Sequence, residues 1–211
     1  MEQIPLAELF LTIFIGMGPV KALLVYLAIT KDANPELQRK VARKAIRTAT
    51  IVGILLLLAG ALLMQILHFS RGALAVAGGL ILLLLALNLV LSPAKEEEHG
   101  AAPDEGALMS MAIYPLGIPL LLNPIGIVAL TVFSGEAQTP LDLAVLLGML
   151  VVVAVLDLLI FAVAHRLDRF LTYERILVLE KLLGILLAAL AVQLILNGLA
   201  DVGVLTLSGG H

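Results

Sequence analysis

The residues with chemistry to offer are few, and they stand inside long apolar runs: Lys21, Asn88, Asn123, Asp157 and Gln193. Two of them adjoin helix-breaking clusters, "GMGPVKALL" around Pro19 and "LLLNPIGIVAL" around Pro124. Asn is a preferred N-cap, and Pro suits the first helical position because its missing N–H would be unpaired there anyway. The stretch "NPIG" therefore reads as a helix start, with Asn123 as the cap. In the earlier cluster Gly18 takes the capping place and Pro19 the first helical one. A helix that stops and restarts leaves carbonyls at the stop and amide N–H groups, the positive end of a dipole, at the restart. Such ends offer acceptors to an ammonium group and donors to a carboxylate. The chemistry suits a small zwitterion. Gly18, Pro19, Asn123, Pro124 and Gly126 would shape that site, with Lys21, Asn88, Gln193 and Asp157 as its polar partners.

Other chemistries find no footing. There is no HExxH, GxSxG, P-loop or dinucleotide fingerprint. There is no cysteine, and the four histidines (His68, His99, His165, His211) are scattered toward loops and ends. The chain reads as a non-enzyme with no catalytic residue, no metal ligands, no resident cofactor and no nucleic-acid partner.

The elements that must position these residues are membrane spans. Of the 211 residues 61% are hydrophobic and 14% charged, with a mean hydropathy of +1.11. Soluble domains average roughly 45–50% apolar and about 25% charged, so both values point to lipid. A bilayer core takes about 20 apolar residues per helix, and six runs qualify: 6–29, 44–67, 72–92, 108–133, 141–164 and 176–198. The start "MEQIPLAELF" lacks a basic n-region, so the first run is expected to stay in the mature protein. Lys31, Arg39, Lys40, Arg43, Lys44, Arg47, Lys95, Arg166, Arg169, Arg175 and Lys181 fall on one side, against Arg71 on the other. The positive-inside rule then makes loops one, three and five cytoplasmic and places both termini outside.

Offsetting the chain by 105 residues brings Pro19 onto Pro124, Pro35 onto Pro140, Gly79 onto Gly184 and Asn88 onto Gln193. Each half holds three spans, so the second copy runs opposite to the first. This is the inverted-repeat layout of many secondary transporters. The expected fold is an all-α integral membrane protein of six transmembrane helices, in two inverted-topology three-helix repeats. Residues 1–92 form the first repeat, 93–107 an acidic cytoplasmic linker, 108–200 the second repeat and 201–211 a tail. Helices 1 and 4 are expected to break near the midplane, their restarts facing one region from opposite directions.

Lys21 lies about 12 Å from the cytoplasmic end of its span and Asp157 about 10 Å from the end of its own, at 1.5 Å per residue. Either charge alone is costly in lipid. They read as an ion pair, or as a substrate anchor and a proton-handling carboxylate, or separately, with Lys21 reaching for the interface and Asp157 held structurally. Asn88 and Gln193 read as partners of the broken backbone or of substrate, or as interhelical hydrogen bonds. Gly53, Gly60, Gly78, Gly79, Gly148 and Gly184, with Ala73, Ala77 and Ala188, are expected at close helix approaches, and small residues on several faces would permit a homo-oligomer.

The stretches "RGALAVAGGLILLLLALNLVLSP", "YPLGIPLLLNPIG" and "EKLLGILLAALAVQLILNGL" resemble the MarC family, also called the small neutral amino acid transporter family. Length, span number and motif order agree over nearly the whole chain. The resemblance implies a multi-pass protein of a prokaryotic cytoplasmic (inner) membrane. It further implies transport of small neutral amino acids such as glycine and alanine, with Na+ and H+ both open as coupling ions. A non-transporting scaffold or assembly factor, or a passive channel, stands as the alternative.

Overall fold

The computed structural model describes residues 6–91, 104–167 and 173–206, and among them it is all helical apart from short turns. The order is α1 (Leu6–Gly16), α2 (Pro19–Ile29), α3 (Pro35–Leu67), α4 (Arg71–Leu91) and α5 (Glu105–Met111). A wide-turned segment, Ala112–Leu121, leads on to α6 (Pro124–Glu136), α7 (Pro140–Leu167) and α8 (Tyr173–Asp201). Most of the acidic linker, loop five between α7 and α8, and the last five residues of the tail lie outside the described residues.

Four helices are long and apolar enough to cross a membrane, within Pro35–Leu67, Arg71–Asn88, Pro140–Ala164 and Gly184–Asp201. Glu105–Leu121 and Pro124–Glu136 pass the same test as a pair bent by 69°. The first expected span consists of α1 and α2, of 11 residues each. Leu55, Leu62, Leu84, Leu159 and Leu186 stand more than half exposed along these helices. Lipid tails, not water, suit such a surface.

Two differences from the sequence reading concern helix starts. The basic stretch before residue 44 is helix, not loop, because the Asn34 side chain accepts from the Leu37 N–H at 2.8 Å and Pro35 follows it. Glu36 and Lys40 pair at 3.4 Å one turn on, and Gln38 turns inward to donate to the Thr30 carbonyl at 2.8 Å. The first part of the fourth expected span is not a regular half-helix. Tyr114 and Ile118, each preceding a proline, are extended within Ala112–Leu121, as the clash with the proline ring favours.

Helices α4 and α8 pair along most of their length. Gly72 and Gly198 set the spacing: a Cβ on Gly198 would stand 2.7 Å from the Gly72 carbonyl oxygen, and one on Gly79 2.9 Å from that of Ala191. Gly53 and Gly60 likewise receive α6 and α7 side chains closely. Gly148 does not belong with them. It is exposed, with nothing within 4 Å of where a Cβ would be.

α3 runs antiparallel to both α2 and α7. Tyr26 reaches Gln38 across the tight turn, while Leu150 stands 3.1 Å from the Cβ position of Gly53 and Leu158, later in α7, lines a groove with Arg43, earlier in α3. α2 and α7 therefore run in the same direction, joined by the Tyr26 and Phe161 rings at 5.0 Å.

Candidate functional site

The two breaks meet. α1 ends at Gly16 and α2 begins at Pro19 after Gly18 (φ −34°, ψ 81°), with no side chain capping its first turn. α6 begins at Pro124 after Asn123, whose extended backbone lets its Oδ1 accept from the Gly126 N–H at 3.1 Å. The same side chain donates through Nδ2 to the Ile15 carbonyl at 2.7 Å. Its backbone N–H donates to the Gly16 carbonyl at 2.9 Å, and its carbonyl accepts from Ile127 at 3.0 Å. Asn123 is 6% exposed and uses every polar group it has. Two of the carbonyls freed where α1 stops are thus taken by the residue that starts α6.

Glycines let the breaks approach. A Cβ on Gly16 would overlap the Gly126 backbone, and one on Gly126 would overlap that of Gly16. A Cβ on Gly18 would stand 3.1 Å from Asn123 Nδ2. α4 closes another side, where a Cβ on Gly78 would stand 3.5 Å from the Pro124 carbonyl oxygen. The structure thus brings Gly18, Pro19, Asn123, Pro124 and Gly126 together at one buried locus.

The remaining site candidates divide. Lys21 is the third residue of α2, but its side chain lies outside the described residues, and with it the pairing proposed with Asp157. Asp157 is fully buried on α7, and among the described residues neither carboxyl oxygen has a hydrogen-bond partner. It lies one turn before Phe161, so the shared direction of α2 and α7 sets it level with Ala22, one turn before Tyr26, in the first turns of α2. Asn88 and Gln193 are not brought into the junction. Both are exposed, and the Gln193 amide donates to Asn197 at 2.8 Å one turn along α8. Matching position in the two halves does not make them line the break, because α4 turns Gly78, Gly79 and Ala86 inward and α8 Gly184, Ala191 and Gly198, while these amides, like Ala73 and Ala77, are exposed.

The expected hollow also takes a different form. Neither of the two grooves described in this structure is lined by the break residues; the acceptors meant for an ammonium group are occupied by Asn123. The residues missed by sequence reasoning are Ile15 and Gly16, which supply those carbonyls. A glycine two residues before Gly18 was the visible signal. Among the described residues no group of three His, Cys, Asp or Glu side chains is placed to hold a metal.

Long apolar helices, lipid-suited surfaces and a buried helix break together define a multi-pass integral membrane protein. Residues 5–202 match the MarC family of integral membrane proteins, and the chain belongs to that family. A UPF0056 membrane protein of Archaeoglobus fulgidus is 26% identical over 194 residues, 91% of either chain. One from Methanocaldococcus jannaschii is 29% identical over 192 residues, 90% of this chain and 93% of the relative. The inner membrane protein YhgN of Escherichia coli (strain K12) is 25% identical over 187 residues, 87% of this chain and 90% of its own length. No solved structure matches the chain.

Proposed function

We propose that this protein is a secondary transporter of small neutral amino acids of the glycine and alanine kind, working by alternating access at the junction of the two helix breaks. One observation carries the reading: Asn123 holds the Ile15 and Gly16 carbonyls with its own amide groups. A substrate ammonium would replace those donors, while the uncapped first turn of α2 would receive the carboxylate. The bonds made by Asn123 are then those that substrate would displace.

Six spans in two inverted repeats suit this mechanism, and the packing supports them. Exchange α1 with residues 105–121, α2 with α6, α3 with α7 and α4 with α8. Contact of α1 with α6 becomes contact of α2 with segment 112–121; α3 on α6 becomes α7 on α2; α4 on α6 becomes α8 on α2. Every one of those pairs is present. The inner-membrane relative supports a cytoplasmic-membrane location, and the distribution of basic residues favours both termini outside.

Asp157 is the coupling group in this reading. A buried carboxyl with no hydrogen-bond partner among the described residues can take up and release a proton. Asp157→Asn is expected to retain exchange of labelled for unlabelled alanine while losing acceleration of uptake by a proton gradient. Uptake by that variant with an undiminished response to the gradient would remove Asp157 from coupling.

The filled junction favours a second reading, a membrane scaffold that never opens. Uptake of labelled glycine and alanine into proteoliposomes, with and without proton and sodium gradients, separates the two. Saturable uptake above empty vesicles is expected; flux equal to empty vesicles under every gradient overturns the transport reading.

A further inference from the structure

Two grooves adjoin along the first half of α3, and Arg43 lines both. One, of about 280 Å³, runs between α3 and α7 and is walled by apolar side chains, among them Ile46, Ile51, Val151, Val155 and Leu158, with Arg43 and Arg47 toward the start of α3. The other, of about 420 Å³, lies against the first turns of α3 and is lined by Pro35, Glu36, Arg39, Lys40 and Arg43. The first is nearly all apolar and the second mostly polar. The acid groups nearby are already engaged: Lys40 pairs with Glu36 at 3.4 Å and with Glu105 at 3.6 Å. Among the described residues Arg39, Arg43 and Arg47 enter no ion pair.

Four-residue spacing puts Arg39, Arg43, Arg47 and Ile51 on one stripe of α3, and all four are exposed. The stripe passes from guanidinium groups to an apolar side chain over about 18 Å. Beside its apolar end lies the groove. A guanidinium fork binds a phosphate through two parallel hydrogen bonds, and a hydrocarbon tail fills an apolar groove that water solvates poorly. One molecule satisfies both demands. A zwitterionic headgroup would bring its own ammonium against three arginines, whereas a net-anionic one meets mainly positive charge, Glu36 being held by Lys40.

We propose that this face binds an anionic glycerophospholipid, its phosphate on Arg43 and Arg47 and one acyl chain in the groove between α3 and α7. The lipid then bridges a helix of the first half to a helix of the second. Its tail lies along residues within one turn of Asp157, on both sides of it in the α7 sequence. The site depends on the chain being a membrane protein and not on what it transports.

Native mass spectrometry of the intact detergent-solubilised protein tests this with phosphatidylglycerol, phosphatidylcholine and inorganic phosphate as probes. Wild type is expected to retain phosphatidylglycerol at least about tenfold better than phosphatidylcholine, on the order expected for two arginines near an anionic headgroup. Arg43→Gln with Arg47→Gln should bring the two lipids level. Val155→Trp, a filled groove with the arginines intact, should also reduce phosphatidylglycerol retention, and excess inorganic phosphate should not displace the lipid. Equal retention of both lipids by wild type, or retention unchanged by the double arginine substitution, overturns the proposal. So does full displacement by inorganic phosphate, or retention unaffected by Val155→Trp: either would mean a simple anion site without a lipid groove.

Discussion

Asn123→Ala is expected to be among the most damaging single substitutions in this protein. It removes the cap of α6, a loss of about 1 kcal/mol, and takes from the Ile15 carbonyl a part-buried hydrogen bond, which adds about 0.5–1.5 kcal/mol. The Asn123 backbone N–H still reaches Gly16, so the breaks stay neighbours but lose their lock. Thermal unfolding in detergent should show the drop, and the proposed amino-acid uptake into proteoliposomes should fall with it. Asn123→Asp sharpens the reading. Its carboxylate can still accept from the Gly126 N–H, as Asn123 Oδ1 does, but it sets an acceptor against the Ile15 carbonyl instead of a donor. The aspartate variant should keep the cap and lose the link. If alanine and asparagine unfold at the same temperature, the amide does not hold the breaks together.

Gly126→Ala and Gly16→Ala should be worse still. The clash at either position is with backbone of the facing break, and backbone cannot rotate aside as a side chain can. Overpacking of ordinary core sites costs about 1–3 kcal/mol; here at least the top of that range is expected, because relief means separating α1 from α6. Gly148→Ala is the matched control. Nothing stands within 4 Å of its Cβ position, and in a helix interior alanine is favoured over glycine by about 1 kcal/mol. Yield of monodisperse protein and unfolding temperature should therefore fall sharply for positions 16 and 126, and hold or rise for 148. Similar behaviour of all three would mean that the breaks do not touch.

Much of this design is legible in local chemistry. Asn123-Pro124 and Gly18-Pro19 announce helix starts by the same two rules, and the structure begins α6 and α2 at Pro124 and Pro19. Asn34-Pro35 carries the identical signal, yet it reads as loop when the many charges after it outweigh the cap. Pro115 and Pro119 carry a signal that the six-span reading leaves unused, since each biases its predecessor toward extended backbone. What no local rule contains is the partner. That Asn123 reaches Ile15, or that Gly16 rests on Gly126, depends on how α1 and α6 cross. Asn88 and Gln193 illustrate the same limit from the other side: equivalent positions in two halves say nothing about which face a helix turns inward.

Backbone-to-backbone contact between Gly16 and Gly126 leaves no cushion of side chains at the crossing. Rods that touch this way share a fulcrum, so α6 cannot tilt without α1 answering at the same point. Any rearrangement that opens one bend is therefore expected to displace the other in step, without a resting state in which a single bend is relaxed.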